Sequence, residues 1–181
     1  KYKRKSNPFL TDNWIVMRGF KMQGDERCTM EHFPEPNSTT PLNIPDDCGI
    51  IVAHNAKFEL LYEKRFSPDE LHAFFKRGGR IWCTQYAEYL LRGQQRKYHM
   101  VSLDEIVESY GGRKKIDGIK ELWEAGVLTS EIDPALLEDY LIGTEEEGRN
   151  SGDIGNTELV FLGQNKEASE AGMLEAIKLR M

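Results

Sequence analysis

Two acidic residues, Glu59 and Asp153, occupy similar places in the pattern of predicted elements, although 94 residues separate them. Glu59 lies in the first turn of a predicted helix that follows the apolar run Ile50–Ala53, and Asp153 begins another helix in "DIGNTELVF". Ligand sites in α/β sheets form at the carboxyl ends of strands, and the helix dipole stabilises a carboxylate in the first turn. Hard divalent cations such as Mg²⁺ and Mn²⁺ prefer carboxylate oxygens. The pair therefore predicts an acidic metal site if the fold brings both residues to one sheet edge.

The dipeptide His54-Asn55 between this strand and its helix also has a purely structural interpretation. Asn55 stands where a helix N-cap belongs, and its side chain is expected to accept a bond from a first-turn backbone N–H. Glu59 is then an ordinary surface residue. His54 at the strand end is then a packed histidine, hydrogen-bonded within the protein. These few residues alone leave both interpretations open.

Hydrophobic periodicity and turn signals predict the elements that must position these residues. Two strands, over residues 14–21 and 27–33, form a hairpin about Gly24 and Asp25. The run Ile50–Ala53 is continuously apolar, which favours a central or parallel strand. A further strand is predicted at 80–83, and helices at 57–64, 67–77, 84–93, 102–112, 133–143 and, as one long helix, 153–180. Strands followed by helices stacked on them predict a mixed α/β fold in one domain, residues 1–181.

The composition excludes several classes of protein. No apolar run approaches the ~20 residues of a membrane span, and no apolar signal-peptide region opens the sequence. We therefore expect no membrane association. Three cysteines without a CxxC pattern disfavour a structural zinc site and favour a reducing cytoplasm. The net charge of −6 argues against general coating of nucleic acid, but the basic segments 1–5, 92–97 and 113–115 are either local binding surfaces or solvated faces.

Four segments, in order along the chain, resemble motifs of the DEDD 3'–5' exonucleases, the proofreading domains with a ribonuclease-H-like fold. They are "AHNAKFELL", "IWCTQYAEYLL", "SLDEIVESYGG" and "YLIG…DIGNTELVF", within residues 14–165. The resemblance is greatest to the exonuclease regions of phage and bacterial A-family DNA polymerases. It implies a mixed sheet with an antiparallel hairpin, followed by helices packed on that sheet.

The resemblance also implies an activity, the removal of nucleotides from the 3' end of DNA by two-metal hydrolysis with Mg²⁺ or Mn²⁺. Glu59 and Asp153 would hold metal, and Tyr140 would orient the attacking water. The implied substrate-binding residues are those around the second motif, namely His54, Asn55, Lys57 and Phe58. The implied partners are single-stranded DNA or a frayed 3' end, and a DNA polymerase domain, fused or separate. The implied location is the cytoplasm of a bacterium or of a phage-infected host cell.

Four departures from the family pattern bear on activity. The first motif, a strand ending Asp-x-Glu, is absent, so we expect the natural polypeptide to extend upstream of Lys1 and the 181-residue chain alone to be weakly active or inactive. Glu59 stands where the family has Asp. Tyr140 and Asp153 are 13 residues apart rather than four, which identifies residues 144–152 as an insertion. Cys83 replaces a further Asp, at a position that we expect to be structural.

Two alternatives to a DNA exonuclease remain at this point. One is a catalytically degenerate exonuclease-like module that binds nucleic acid or a polymerase partner. The other is a related ribonuclease, because no residue pattern in the chain distinguishes a substrate with 2'-hydroxyl groups from one without them.

Overall fold

Among the residues that the computed structural model describes (7–114, 118–146, 148 and 151–181), four short strands form two two-stranded sheets. Strands β1 (Met17–Phe20) and β2 (Thr29–His32) pair antiparallel. Strands β3 (Ile50–Ala53) and β4 (Arg80–Cys83) pair parallel. The basic segment 1–5, Lys115 and part of the predicted insertion lie outside the described residues.

The hairpin predicted over residues 14–21 and 27–33 is confirmed. Met17 lies opposite His32 and Phe20 opposite Thr29. The pairing continues one step beyond the strands, since the Phe33 amide donates to the Val16 carbonyl at 2.8 Å.

The parallel position predicted for Ile50–Ala53 is also confirmed, with Ala53 opposite Cys83. The strand is not a central one among the described residues, because β3 pairs there with β4 alone. In agreement with this, Ile50 remains 37% exposed. Two helices form the crossover that a parallel pair requires.

Helices cover these strands. They are α1 (Ala56–Phe66), α2 (Pro68–Lys76), α3 (Thr84–Leu91), α4 (Leu103–Ile106), α5 (Gly118–Ala125), α6 (Pro134–Ile142), α7 (Asp153–Glu170) and α8 (Leu174–Lys178), with 3₁₀ turns at Arg96–Tyr98, Val107–Tyr110 and Thr129–Glu131. The mixed α/β architecture is therefore as predicted. The helix expected over 102–112 is instead one α turn followed by a 3₁₀ turn, and α5 was not predicted.

The single long helix predicted over 153–180 is wrong. The chain leaves the helix at Gly172, whose φ of +67° is a left-handed conformation that glycine adopts without strain. The Met173 amide closes the end by donating to the Ala168 carbonyl at 2.8 Å. Helix α8 then turns back, and Ile177 is buried beside Trp82 and Ala168.

The core lies between α7 and the elements on either side of it. Val160 of α7 is fully buried against Val107, and Ala168 is fully buried with Trp82 of β4. A second cluster holds α2 against the β3–β4 pair through Phe74, which is also fully buried. Within the described ranges, no helix is both long and apolar enough to cross a membrane.

Candidate metal and substrate site

The turn from β3 into α1 depends on an unusual backbone conformation at Asn55. This residue has φ 56° and ψ 47°, a left-handed conformation that Asn tolerates better than most residues. The predicted side-chain cap is wrong, because Asn55 makes no side-chain cap bond. A capping side chain reaches the first-turn amides from an extended backbone, which Asn55 does not have. Its backbone carbonyl accepts the first helical bond instead, from Phe58 N at 2.8 Å.

His54 joins three parts of the chain at this turn. One ring nitrogen, Nε2, lies 3.0 Å from the Val101 carbonyl oxygen, which can only accept, so Nε2 carries the proton. The other, Nδ1, lies 2.9 Å from the Thr84 hydroxyl, from which it accepts when the ring is neutral. Both nitrogens are engaged within the protein, which matches the packed role that the sequence allowed. Contact of His54 with substrate remains a prediction.

Glu59 is exposed in the first turn of α1 but is surrounded by protein at longer range, and we call this surface, with Asp153, the recess. Its side chain is accessible to solvent, yet the surrounding protein deprives the carboxylate of much of its hydration. Direct contact with water and hydration of a charge extend over different volumes, so an exposed carboxylate can still be poorly hydrated when protein surrounds it. This desolvation, with the nearby charges of Asp153 and then Glu63, raises the pKa of Glu59 to about 7.

Asp153 is half-buried at the first position of α7. The charge effect of Asp153 on Glu59 means that the fold brings the two predicted metal ligands near each other. Two close-packed glycines fix the start of α7: a Cβ atom at Gly152 would come within 2.5 Å of Gly143 N at the end of α6. The ends of the predicted insertion 144–152 therefore touch.

Strand β1 holds both helices of the site. Arg18 reaches α1, where its Nε donates to Glu63 Oε1 at 2.8 Å. Lys21, the residue after β1, reaches α7, with its Nζ 2.6 Å from Glu158 Oε2, and Ile154 of α7 packs directly on Gly19 of the strand. Successive strand residues point to opposite faces, so one strand can contact both helices.

Arg18 is a residue that sequence reasoning missed. It is only 7% exposed and also binds Glu31 Oε2 at 2.8 Å and the Thr40 carbonyl at 3.1 Å. The Ser67 hydroxyl donates to the same Glu63 carboxylate at 2.6 Å. Because Glu63 follows Glu59 by one helical turn, this anchor sets the rotation of α1 and with it the position of Glu59. An arginine in a short strand carries no signal of burial in the sequence.

Aromatic side chains stand next to Glu59 on α1. Phe58 is 39% exposed, and its ring centroid lies 5.1 Å from that of Tyr62. Burial raises the pKa of Tyr62, the charge of Arg65 opposes this shift, and the charge of Glu59 adds to it. Tyr62 was not predicted, although its spacing of three residues from Glu59 places both on one helix face. Lys57 is exposed on the same turn.

Tyr140 lies on α6 and contributes to a hydrophobic cluster. Its ring meets Trp123 edge-on at 5.8 Å, beside buried Ile119 and Leu137. The role of Tyr140 in orienting a water remains a prediction.

Other residues of the resembling segments form a buried polar network. Glu88 of α3, 2% exposed, accepts from Tyr110 Oη at 2.6 Å, from Arg92 Nε at 2.8 Å and from Gln164 Nε2 at 3.0 Å. Gln164 also donates to the Thr84 carbonyl at 2.9 Å. Burial and the bond to Glu88 raise the pKa of Tyr110 well above its usual range. These residues tie α3 to α7 and are structural.

Arg92, the first residue of the basic segment 92–97, belongs to this network. Besides Glu88, it binds Glu167 through two nitrogens, one of them at 3.0 Å from Oε2. The pKa of Arg92 is raised, first by the hydrogen bond to Glu167. Its charge is thus neutralised internally, so a phosphate contact would have to come from Arg96 or Lys97.

The described residues contain no group of three His, Cys, Asp or Glu side chains placed to hold a metal ion. Glu59 and Asp153 alone suit one Mg²⁺ or Mn²⁺ ion, since such ions often take one or two protein carboxylates and complete their shell with water and substrate phosphate. Desolvation, and after it the charge of Asp153, raises the pKa of Glu59, and a bound cation would offset both effects. The second ion of the predicted two-metal site lacks ligands in the described part of the chain.

Comparisons of the chain with protein-family models, with curated proteins and with solved structures find no match.

Proposed function

We propose that this chain is an exonuclease-like domain of ribonuclease-H-like architecture, which binds the 3' end of a DNA strand and hydrolyses its terminal phosphodiester. The observation that carries the proposal is the electrostatic coupling of Glu59 and Asp153 at an accessible recess. The strand order supports the fold, since an antiparallel hairpin precedes a parallel pair with a helical crossover. A DNA polymerase, fused or separate, is the partner that would supply such an end.

Each residue of the recess has a task in this proposal. Glu59 and Asp153 would hold a divalent cation, which would supply positive charge beside the scissile phosphate and lower the pKa of a water. Without the cation, the pKa of Glu59 is about 7, so a protonated Glu59 must lose its proton before it can bind the metal ion. Phe58, which packs on Tyr62, offers an exposed ring on which the terminal base stacks.

Lys57 and Asn55 complete the proposed substrate contacts. Lys57 is exposed and positively charged, which suits a phosphate. The Asn55 amide is not used as a helix cap, so it is available to a nucleotide at the strand end. Tyr140 is proposed to orient the water, and Tyr62 is the alternative because the charge of Glu59 acts on it.

The test is nucleotide release from a 5'-labelled oligonucleotide with Mg²⁺ or Mn²⁺. Asp153→Asn and Glu59→Gln are each expected to reduce release by about 100-fold or more, since they remove charge that holds the cation. Asp69→Asn and Glu70→Gln are matched controls, because both acids lie in the first turn of α2 and neither is among the charges that act on Glu59. Equal effects of site and control variants would refute the assignment.

A non-catalytic module that binds nucleic acid or a polymerase is the second candidate. It is favoured by the lack, among the described residues, of three His, Cys, Asp or Glu side chains grouped to hold a metal ion. The same samples distinguish the two candidates. A wild-type chain that binds a single strand but releases no nucleotide with either cation supports the non-catalytic module. Comparing Tyr140→Phe with Tyr62→Phe in any active sample then identifies the tyrosine that assists cleavage. Parallel DNA and RNA substrates address the ribonuclease alternative.

A further inference from the structure

Helix α3 and the segment after it carry a row of aromatic rings, Tyr86, Tyr89 and His99, which we call the aromatic row. Tyr86 and Tyr89 stack with centroids 6.2 Å apart and an interplanar angle of 30°. Tyr89 meets the His99 ring edge-on at 5.5 Å. Tyr86 is 39% exposed and His99 is exposed as well, so both ends of the row face solvent.

The stretch of sequence that contains the aromatic row is basic, in a chain that is acidic overall. The 33 residues 71–103 contain six Lys or Arg and a single acid, Glu88, whereas the whole chain has a net charge of −6. Glu88 is buried and bound by Arg92 and Tyr110, so this stretch exposes no carboxylate. Arg96 and Lys97 are exposed at the 3₁₀ turn that leads to His99.

The aromatic row adjoins the recess of Glu59. The Val101 carbonyl, two residues after His99, accepts from His54 Nε2 at 3.0 Å and from Gln85 Nε2 at 2.8 Å. Gln85 precedes Tyr86, and His54 belongs to the turn that leads into α1. These two bonds link the segment that carries the row to the turn that leads into α1, the helix of Glu59.

We infer that the aromatic row, together with Arg96 and Lys97, binds unpaired nucleic acid as the strand leaves the recess. Aromatic rings stack on any base, because every base has a π face, and neighbouring cations neutralise the backbone phosphates. In a duplex the bases are paired and stacked on one another, so their faces are not available to the aromatic row. The choice of ligand rests on the proposed function, whereas the rings and charges do not depend on catalysis.

The experiment measures binding without chemistry. A fluorescein-labelled oligothymidylate of about 12 nucleotides is titrated with the full chain in EDTA, and fluorescence anisotropy is recorded at several salt concentrations. Loss of one stacked base predicts that Tyr86→Ala binds about 5- to 150-fold more weakly. Arg96→Ala/Lys97→Ala should reduce the slope of log affinity against log salt by about 1.4, for two phosphate contacts on a single strand.

Matched controls separate this surface from general effects. Phe75→Ala removes another exposed ring, 47% exposed on α2, and Lys120→Ala/Lys166→Ala removes two exposed cations elsewhere. Both controls should bind like the wild-type chain, and the same sequence in a duplex should bind weakly and be insensitive to Tyr86→Ala. Thermal unfolding confirms that each variant is folded.

The possible outcomes are distinct for the surface and for the proposed function. Wild-type protein that fails to bind the single strand at low salt, variants that bind like wild type, or controls that lose as much affinity each overturn the inference. Binding that depends on Tyr86 without any cleavage keeps the surface and removes the nuclease. Cleavage that depends on Asp153, with binding unaffected by Tyr86→Ala, keeps the nuclease and removes the surface.

Discussion

Replacement of Arg18 by methionine should test how α1, and therefore Glu59, is held in place. Arg18 is 7% exposed and its partner Glu63 13% exposed, with Nε to Oε1 at 2.8 Å and Nη2 to Oε2 at 3.2 Å. Methionine retains much of the arginine stem but none of its charge. Among the described residues, Glu63 would then keep only the Ser67 hydroxyl as a side-chain partner, at 2.6 Å. Removing one partner of a buried pair costs about 3–5 kcal/mol.

The other contacts of Arg18 change this magnitude little. Glu31 is 33% exposed, so its pair with Arg18 contributes no more than about 1 kcal/mol. The Thr40 carbonyl loses bonds at 3.1 Å but lies near the surface, where water can replace them. We therefore expect Arg18→Met to lower the free energy of unfolding by about 3–5 kcal/mol, a large share of the stability of a small domain.

The assay is urea unfolding at neutral pH of wild type, both single methionine variants and the double variant Arg18→Met/Glu63→Met. The double variant should be more stable than Arg18→Met, because it leaves no buried charge without a partner. Lys166→Met is the control: its pair with Glu170 is 4.0 Å long and more than two-thirds exposed on both sides, so about 0.5 kcal/mol or less is expected. A loss below about 1 kcal/mol for Arg18→Met, or losses that simply add in the double variant, would refute the reasoning.

Three further predictions concern single groups. The pKa of Tyr110 is raised above its ordinary value of 10, so its stabilising effect is complete below about pH 10 and is lost as pH rises further; Tyr110→Phe should flatten the alkaline decline of unfolding free energy. At Asn55, glycine adopts the left-handed backbone freely whereas alanine does not, so urea unfolding should show Asn55→Gly about 1 kcal/mol more stable than Asn55→Ala. Glu59 has a pKa of about 7 and must be ionised to bind metal, so Mn²⁺ affinity measured by calorimetry should fall up to about tenfold per pH unit below that value, and Glu59→Gln should bind weakly with a flat profile.

The hairpin and the parallel pair could be predicted because their signals are local. Gly24 and Asp25 mark a turn between two strand-like runs, and an unbroken apolar run precedes the turn at Asn55. The end of α7 could not be predicted in the same way, because a lone glycine inside a helical pattern is often tolerated. The break at Gly172 lets Ile177 pack on Trp82, and this contact joins residues that are far apart in the sequence.

The site could be predicted in part for the same reason. Glu59 and Asp153 were assigned from their places at helix starts, and the fold does couple their charges. The anchor Arg18 depends on Glu63, 45 residues away, and its burial follows from tertiary packing that no short pattern encodes. The missing cap at Asn55 has a similar origin, since its backbone conformation is imposed by the turn.

The residues of the buried network support the fold whether or not the domain is an active enzyme. Glu88 and Tyr110 form part of the pattern that resembles exonucleases, yet here they satisfy one another in the core beside α7. A catalytically degenerate module needs that support as much as an active enzyme does, because a buried carboxylate without partners is costly in either. Such residues therefore bear on the fold and leave the activity open. Only groups whose placement is unfavourable without a ligand bear on chemistry, and the repulsion between Asp153 and Glu59 in an accessible recess is such a case. The case for catalysis thus depends on whether a divalent cation relieves that repulsion.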